Sequence, residues 1–305
     1  MKFGICLPIR LNVEAQSNIN IAKRAEELGF DSVWVSDHVV MPEKHTGMFS
    51  EVFYDPLMLL SCIAAETSKI KIGTSVIILP YRNPVVVAKM IATLDVFSEG
   101  RVIFGVGPGW MREEYDALSV PYEKRGARTN EYIRAIKELW VSDEPSFEGE
   151  FCSFSNIKFY PKPAQEPHPP IFIAGSSDYA IKRAVELGDG WQPTWVSPED
   201  VKEGVSQLQK IAREKGRDLS TFTYSVRNRL HIVDNDYEPL NNNEGTNGDP
   251  PFLLRGTVKE IANFIKSYRD LGVSHLVFDP VAESLDDIFH TMEIVSGEII
   301  PAINT

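Results

Sequence analysis

The stretch Glu27-Leu28-Gly29-Phe30-Asp31-Ser32-Val33-Trp34-Val35-Ser36-Asp37-His38 decides the fold. A helix-length segment runs up to Leu28, glycine follows, and the short apolar run Ser32-Val33-Trp34-Val35 comes next. Glycine just past a helix can take the left-handed conformation that closes the helix and turns the chain into a strand. The phrase returns as Glu186-Leu187-Gly188-Asp189 before Gly190-Trp191, and as Asp270-Leu271-Gly272-Val273 before His275-Leu276-Val277-Phe278. A variant, Phe97-Ser98-Glu99-Gly100, precedes Arg101-Val102-Ile103-Phe104. The segments before these glycines carry helical patterning, with Ile21, Ala25 and Leu28 on one face and Ile261, Ile265 and Tyr268 on another.

Helices and strands that alternate in this way make βαβ units on a parallel sheet. Strands are predicted at residues 2–7, 31–36, 71–78, 101–106, 170–175, 190–194, 222–233 and 274–279. Runs such as Val102-Ile103-Phe104 are too continuous for a one-sided sheet and suit strands buried on both faces. Eight units favour an α/β fold of the (β/α)8 TIM-like barrel type over an open doubly wound sheet. A barrel needs about 250 residues, so 305 residues allow one barrel domain over 1–305 with two insertions. The first, near 143–169, reads as a hairpin around Glu148-Gly149 followed by a proline-rich return. The second, 234–256, is almost without apolar side chains through Asn241-Asn242-Asn243-Glu244-Gly245 and reads as a structureless loop.

Composition narrows the partners. The balance of 31 basic against 43 acidic residues, a net −12, disfavours nucleic acid and membrane surfaces. The start, Met1-Lys2-Phe3-Gly4-Ile5-Cys6, is too short an apolar run for a signal peptide, and no run approaches a membrane span. Cys6, Cys62 and Cys152 are odd in number and far apart, which reads as reduced thiols in a cytoplasmic protein. The six histidines show no metal-ligand spacing, so no metal is expected.

In such barrels the chemistry sits at the carboxyl ends of the strands. Strand two ends in Ser36-Asp37-His38, where the histidine can donate a proton near neutrality; a surface or capping pair is the plain alternative. Gly105-Val106-Gly107-Pro108-Gly109 lets backbone approach a planar ligand, though it also fits a simple tight turn. Gly175-Ser176-Ser177 opens a helix and suits a phosphate, yet serine capping would look the same. Strand six offers Trp191 and Thr194, strand seven Arg227 and Asn228, and strand eight Asp279. With no esterase elbow and few hard-chemistry side chains, a bound cofactor is expected to carry the reaction.

These phrases together resemble the bacterial luciferase-like monooxygenase superfamily, in particular its coenzyme F420-dependent oxidoreductase branch. The likeness rests on Ala25 to Trp34 with Ser36-Asp37-His38, on Ile72-Gly73-Thr74-Ser75-Val76 with Pro80-Tyr81-Arg82-Asn83-Pro84, and on Leu94 to Arg101. Gly105 to Trp110, Arg125 to Tyr132 and Pro169 to Gly175 extend it. The resemblance implies a barrel that seats a deazaflavin (F420) or, alternatively, FMN at the strand ends. It implies a non-proline cis peptide at Ser75-Val76 backing the ring, with His38 facing the reacting carbon and Asp37 orienting its loop. It places Gly107 and Gly109 along the cofactor side chain, Gly175, Ser176 and Thr194 near its phosphate, and Arg82 and Arg112 near an acidic tail.

The resemblance further implies a small-molecule substrate and a homodimer. Hydride transfer with F420 leads; a reduced-FMN monooxygenase and a non-catalytic flavin-binding paralogue are the alternatives. One departure stands out. The F420-dependent sugar-phosphate dehydrogenases place a glutamate directly after the second glycine, where this chain has Trp110, with Glu113 and Glu114 a turn later. His38 is therefore expected to act without that glutamate partner, on an apolar or aromatic substrate.

Overall fold

A computed structural model describes residues 1–233 and 252–304. Its strands are β1 (Lys2–Cys6), β2 (Ser32–Val35), β3 (Lys71–Thr74), β4 (Ile77–Ile78), β5 (Val102–Gly107), β6 (Phe147–Glu148), β7 (Ser153–Phe154), β8 (Ile171–Ala174), β9 (Gly190–Gln192), β10 (Thr223–Ile232), β11 (Leu253–Gly256) and β12 (His275–Pro280). The helices are α1 (Ala15–Glu27), α2 (Pro56–Glu66), α3 (Pro84–Phe97), α4 (Arg112–Ala117), α5 (Arg125–Val141), α6 (Asp178–Leu187), α7 (Pro198–Lys215), α8 (Val258–Asp270), α9 (Leu285–Ile294) and α10 (Ile300–Asn304).

Parallel pairing runs β1-β2-β3-β5-β8-β9-β10-β12 and returns from β12 to β1, closing an eight-stranded barrel. All eight predicted strands appear, the third broken in two where Ser75-Val76 is cis. The hairpin expected near Glu148-Gly149 is present as β6 and β7. The second insertion is shorter than expected. Residues 253–256 are not loop but β11, laid parallel on the outer edge of β10, because Leu254 finds a fully buried place in the core. The remainder of that stretch, 234–251, lies outside the described residues.

The repeated glycine phrase works in two ways. Gly29, Gly100 and Gly272 are left-handed, at φ 80, 77 and 90, as helix closure requires. Gly188 is extended instead, and there a Cβ would meet Ile173 Cγ1 at 2.7 Å. The same residue type is demanded by curvature at three places and by close packing at the fourth.

Alternation along the strands sorts side chains into two cores. Ile5, Val33, Ile72, Phe104 and Ile171 face outward against the helices, whereas Cys6, Trp34, Ile103, Phe172 and Val277 form a separate apolar cluster inside. Trp34 fills that interior so fully that a Cβ at Gly73 would meet its ring at 2.4 Å. Truncating such a residue to Ala would cost about 3–5 kcal/mol. Above and beside this plug the interior is polar. Trp34 Nε1 donates to Ser32 Oγ, which meets His275 Nε2 at 2.8 Å; Gln192 donates to Ser225 Oγ and accepts from Ser75 Oγ. Burial pushes the His275 imidazole down to about 3, so it is neutral.

Candidate functional site

A cavity of about 860 Å³ opens at the carboxyl ends of the barrel strands. Asp37, His38, Ser75, Val76, Gly107, Gly109, Gly175 and Thr194 all line it. Ser176 does not. It is exposed ahead of α6, and Ser177 takes the lining position while capping that helix by accepting from Ala180 N. Serine capping and a place on the cavity wall coincide, one residue later than expected.

The loop after β2 is fixed by Asp37. Its buried carboxyl receives Arg82 Nη1 at 2.5 Å and Nη2 at 2.9 Å, one on each oxygen, plus the Ile78 amide at 2.9 Å. Burial pushes this carboxyl up, against the pull of Arg82 and Ile78. Arg82 also donates to Asp55, the N-cap of α2. Arg82 thus holds this loop and does not line the cavity, nor does Arg112, which pairs with Glu123 and stacks on Tyr122.

His38 has a glutamate partner after all. Glu114 Oε2 lies 2.9 Å from His38 Nδ1, while Glu114 Oε1 accepts the Val39 amide at 2.9 Å. Tyr81 donates to the same Oε2 at 3.0 Å, and burial together with Glu114 pushes its phenol far up, which keeps it a donor. The glutamate of position 110 is absent, as expected, but Glu114, whose direction the sequence left open, takes its place: α4 begins at Arg112 and turns Glu114, fully buried, back beneath the loop. Trp110, at the position of the missing acid, is 51% exposed. With Nδ1 donating to a carboxylate, Nε2 is the nitrogen left to give or take a proton.

The cavity floor holds a charge that strand reading noted without a role. Arg227 on β10 is buried and donates through Nη1 to Ser75 O at 2.7 Å and Ser36 Oγ at 2.9 Å, and through Nη2 to Asp279 at 3.1 Å. Its Nε is buried with no partner among the described residues.

Basic groups that sequence reading missed gather at the start of α5 and on the second turn of α6. Lys124, Arg125, Lys182 and Arg183 all line the cavity. Arg183 is buried, yet its partners are neutral, the Asn130 side chain and Gly126 O. The first turn of α5 carries no acid and no side-chain cap, so its amides remain available. The signal lay in helical spacing, since Arg183 falls on the buried face of α6 with Ala180 and Ala184.

The residues present fit a flat, anionic cofactor. At Gly109, φ 69, a Cβ would meet Ile78 Cγ2 at 2.5 Å, and at Gly107 one would meet Val76 Cγ2 at 3.0 Å, so bare backbone borders the cavity. Beside it stand an orphaned guanidinium nitrogen and a cationic rim suited to phosphate and carboxylate. Among the described residues no cluster of His, Cys, Asp and Glu could hold a metal ion.

Comparison with known proteins agrees with this geometry. The family model described as luciferase-like monooxygenase matches residues 1–242. The F420-dependent glucose-6-phosphate dehydrogenase of Kineococcus radiotolerans is 35% identical over 338 residues, covering 97% of each chain. The FMNH(2)-dependent dimethylsulfone monooxygenase of Pseudomonas putida is 30% identical over 211 residues, covering 68% of this chain and 56% of its own. A solved F420-dependent secondary alcohol dehydrogenase shares the fold, at TM-score 0.83, 22% identity and coverage of 99% and 98%.

Proposed function

Because the chain belongs to the luciferase-like monooxygenase family, we propose that it is a coenzyme F420-dependent oxidoreductase acting on a small organic substrate at the mouth of the barrel. The observation that carries this reading is the gathering of Lys124, Arg125, Lys182 and Arg183 on the cavity rim, where the acid Glu186 is paired with Lys215 and Lys124 reaches Glu150. FMN ends in a single phosphate, whereas F420 adds a tail of carboxylates. A buried Arg183 with only neutral partners, beside an α5 terminus free of acid, suits the longer anion.

When bound, the deazaflavin supplies a carbon that gives or accepts hydride. The chain supplies the rest. His38 exchanges a proton at Nε2 with the reacting heteroatom, and Glu114 holds its ring through Nδ1. Arg82 and Asp37 keep that loop in place. Arg227 and Asp279 fix the Ser75 carbonyl that backs the ring, and Gly107, Gly109, Gly175 and Thr194 border the cofactor.

Titration of the purified protein with F420 and with FMN tests the reading. F420 should bind tightly, and Arg183→Met should weaken it about tenfold or more, from the loss of a charge-assisted hydrogen bond. Tight FMN binding without response to F420 would instead favour the reduced-flavin monooxygenase, to which the dimethylsulfone enzyme points.

No helix among the described residues is long and apolar enough to cross a membrane. We further propose a cytoplasmic protein built as a single barrel domain. We also propose a homodimer. Met58 on α2, and Val86 and Phe97 on α3, are 63%, 54% and 78% exposed on helices that pack together, an apolar surface that a second copy would cover. Sedimentation at micromolar concentration, with a monomer as the contrary result, decides this.

A further inference from the structure

Resting on the reading above, the geometry points to a substrate class: we propose that the reacting end of the cavity takes an uncharged, apolar cyclic ketone or its secondary alcohol, not a sugar phosphate. The wall around His38 is aromatic. Phe53 meets the imidazole edge-on at 4.9 Å between centroids and Phe49 leans on it at 5.8 Å. Phe49 continues to Trp110 at 6.5 Å, and His45 stands edge-on to Trp110 at 5.0 Å. Ile9 and Trp195 complete the cavity lining on this side. Rings arranged this way offer faces and edges to a flat or alicyclic body and few donors to a polyol.

The aromatic side of the cavity supplies no basic group of its own. The lining residues that come from segments 9, 36–53 and 194–195 include no Lys or Arg. Of the basic lining residues, Lys124 and Arg125 stand at the start of α5 and Lys182 and Arg183 on α6, where the cofactor's anions are placed, while Arg227 on β10 lies at the floor, engaged by Ser75 O, Ser36 Oγ and Asp279. A sugar phosphate entering beside His38 would leave its phosphate against Phe49, Phe53 and Trp110, unpaired and desolvated. A cationic substrate would face the buried Arg227 guanidinium at the floor. Neutral substrates meet neither obstacle.

Two features mark the aromatic wall as built for use. Trp195 is held at φ 58, a left-handed conformation unfavourable for a bulky residue, and its indole nitrogen is buried with no partner among the described residues. Trp34, Trp140 and Trp191 are fully buried, but Trp110 stands half exposed at the cavity edge. An indole left partly in water beside a cavity is covered when an apolar ligand arrives.

Calorimetric titration of the cofactor-loaded protein with 1-indanone, 1-indanol and glucose 6-phosphate tests the class without requiring turnover. The two indane compounds should saturate the site and glucose 6-phosphate should not. Trp110→Ala, a change at a half-exposed side chain, should weaken 1-indanone about tenfold and leave cofactor affinity in place. Saturation by glucose 6-phosphate alone, or an unchanged 1-indanone affinity in Trp110→Ala, overturns the proposal. The same titration on FMN-loaded protein separates the two readings. Binding of 1-indanone there, in a protein silent toward F420, retires the deazaflavin and supports the substrate class.

Discussion

Glu114 Oε2 lies 2.9 Å from His38 Nδ1, joining two residues 76 apart in the chain, one on the loop after β2 and the other on α4 after β5. The contact makes the imidazole a directed group. Its proton on Nδ1 is held by an acceptor that is itself fixed by the Val39 amide and the Tyr81 hydroxyl. His38→Ala is expected to lower kcat by about 10²–10⁴-fold while cofactor affinity changes little. Glu114→Gln keeps the shape but removes the acceptor, and should lose part of that factor, about tenfold or more. Steady-state kinetics on both variants checks this; wild-type turnover in either would remove the pair from the mechanism.

Gly109 and Gly216 form an internal control. Both are left-handed, at φ 69 and 64, but a Cβ at Gly109 strikes Ile78 Cγ2 whereas nothing lies within 4 Å at Gly216. Alanine at either should cost about 1–2 kcal/mol through its backbone conformation. Only Gly109→Ala should also weaken cofactor binding. Denaturant unfolding and cofactor titration on the two variants separate the effects, and equal cofactor affinities would contradict the placement of Gly109 along the ligand.

The buried imidazole of His275 predicts an acid limb of stability. Burial, aided by Lys2, lowers it to about 3, while an unfolded imidazole titrates near 6.5. The unfolded chain therefore binds this proton first as pH falls. The contribution is complete above about pH 6.5 and is lost toward about pH 3, at roughly 1.4 kcal/mol per unit. Urea midpoints measured from pH 7 to pH 4 should fall more steeply for the wild type than for His275→Gln. Parallel curves would assign the acid limb to other groups.

The three thiols should differ sharply toward maleimide. Cys62 is exposed. Burial pushes Cys6 up to about 12 and Cys152 up to about 11, which suppresses the reactive thiolate. Mass spectrometry of native protein should find Cys62 modified first and Cys6 only after unfolding. Early labelling of Cys6 would mean that the barrel interior opens.

What was legible in the sequence follows from what each signal measures. The glycine phrase and the apolar runs are local, and they located every barrel strand. The cavity residues at strand ends were legible because the barrel puts all those ends on one face. Glu114 was not, since its direction depends on where α4 starts, and one residue of phase turns a helical side chain by about 100°. Arg82 illustrates the converse. It stood in a recognisable phrase, but the sequence did not show that Asp37 and Asp55 lie within its reach in space and hold it off the cavity wall. Arg183 was hidden because an arginine on the inner face of an amphipathic helix breaks the polar pattern that sequence reading relies upon.

The polar chain through the barrel has a consequence for how the molecule assembles. Ser32, Gln192, Ser225 and His275 come from β2, β9, β10 and β12, and Ser75 from the break between β3 and β4. No half of the barrel contains all the partners, so a fragment ending between β5 and β8 would leave donors and acceptors facing an apolar interior unmatched. Intermediate states with four strands docked are thereby penalised, and closure becomes cooperative. A barrel with an all-hydrocarbon interior could be halved and reassembled; this one binds its two halves into a single folding event.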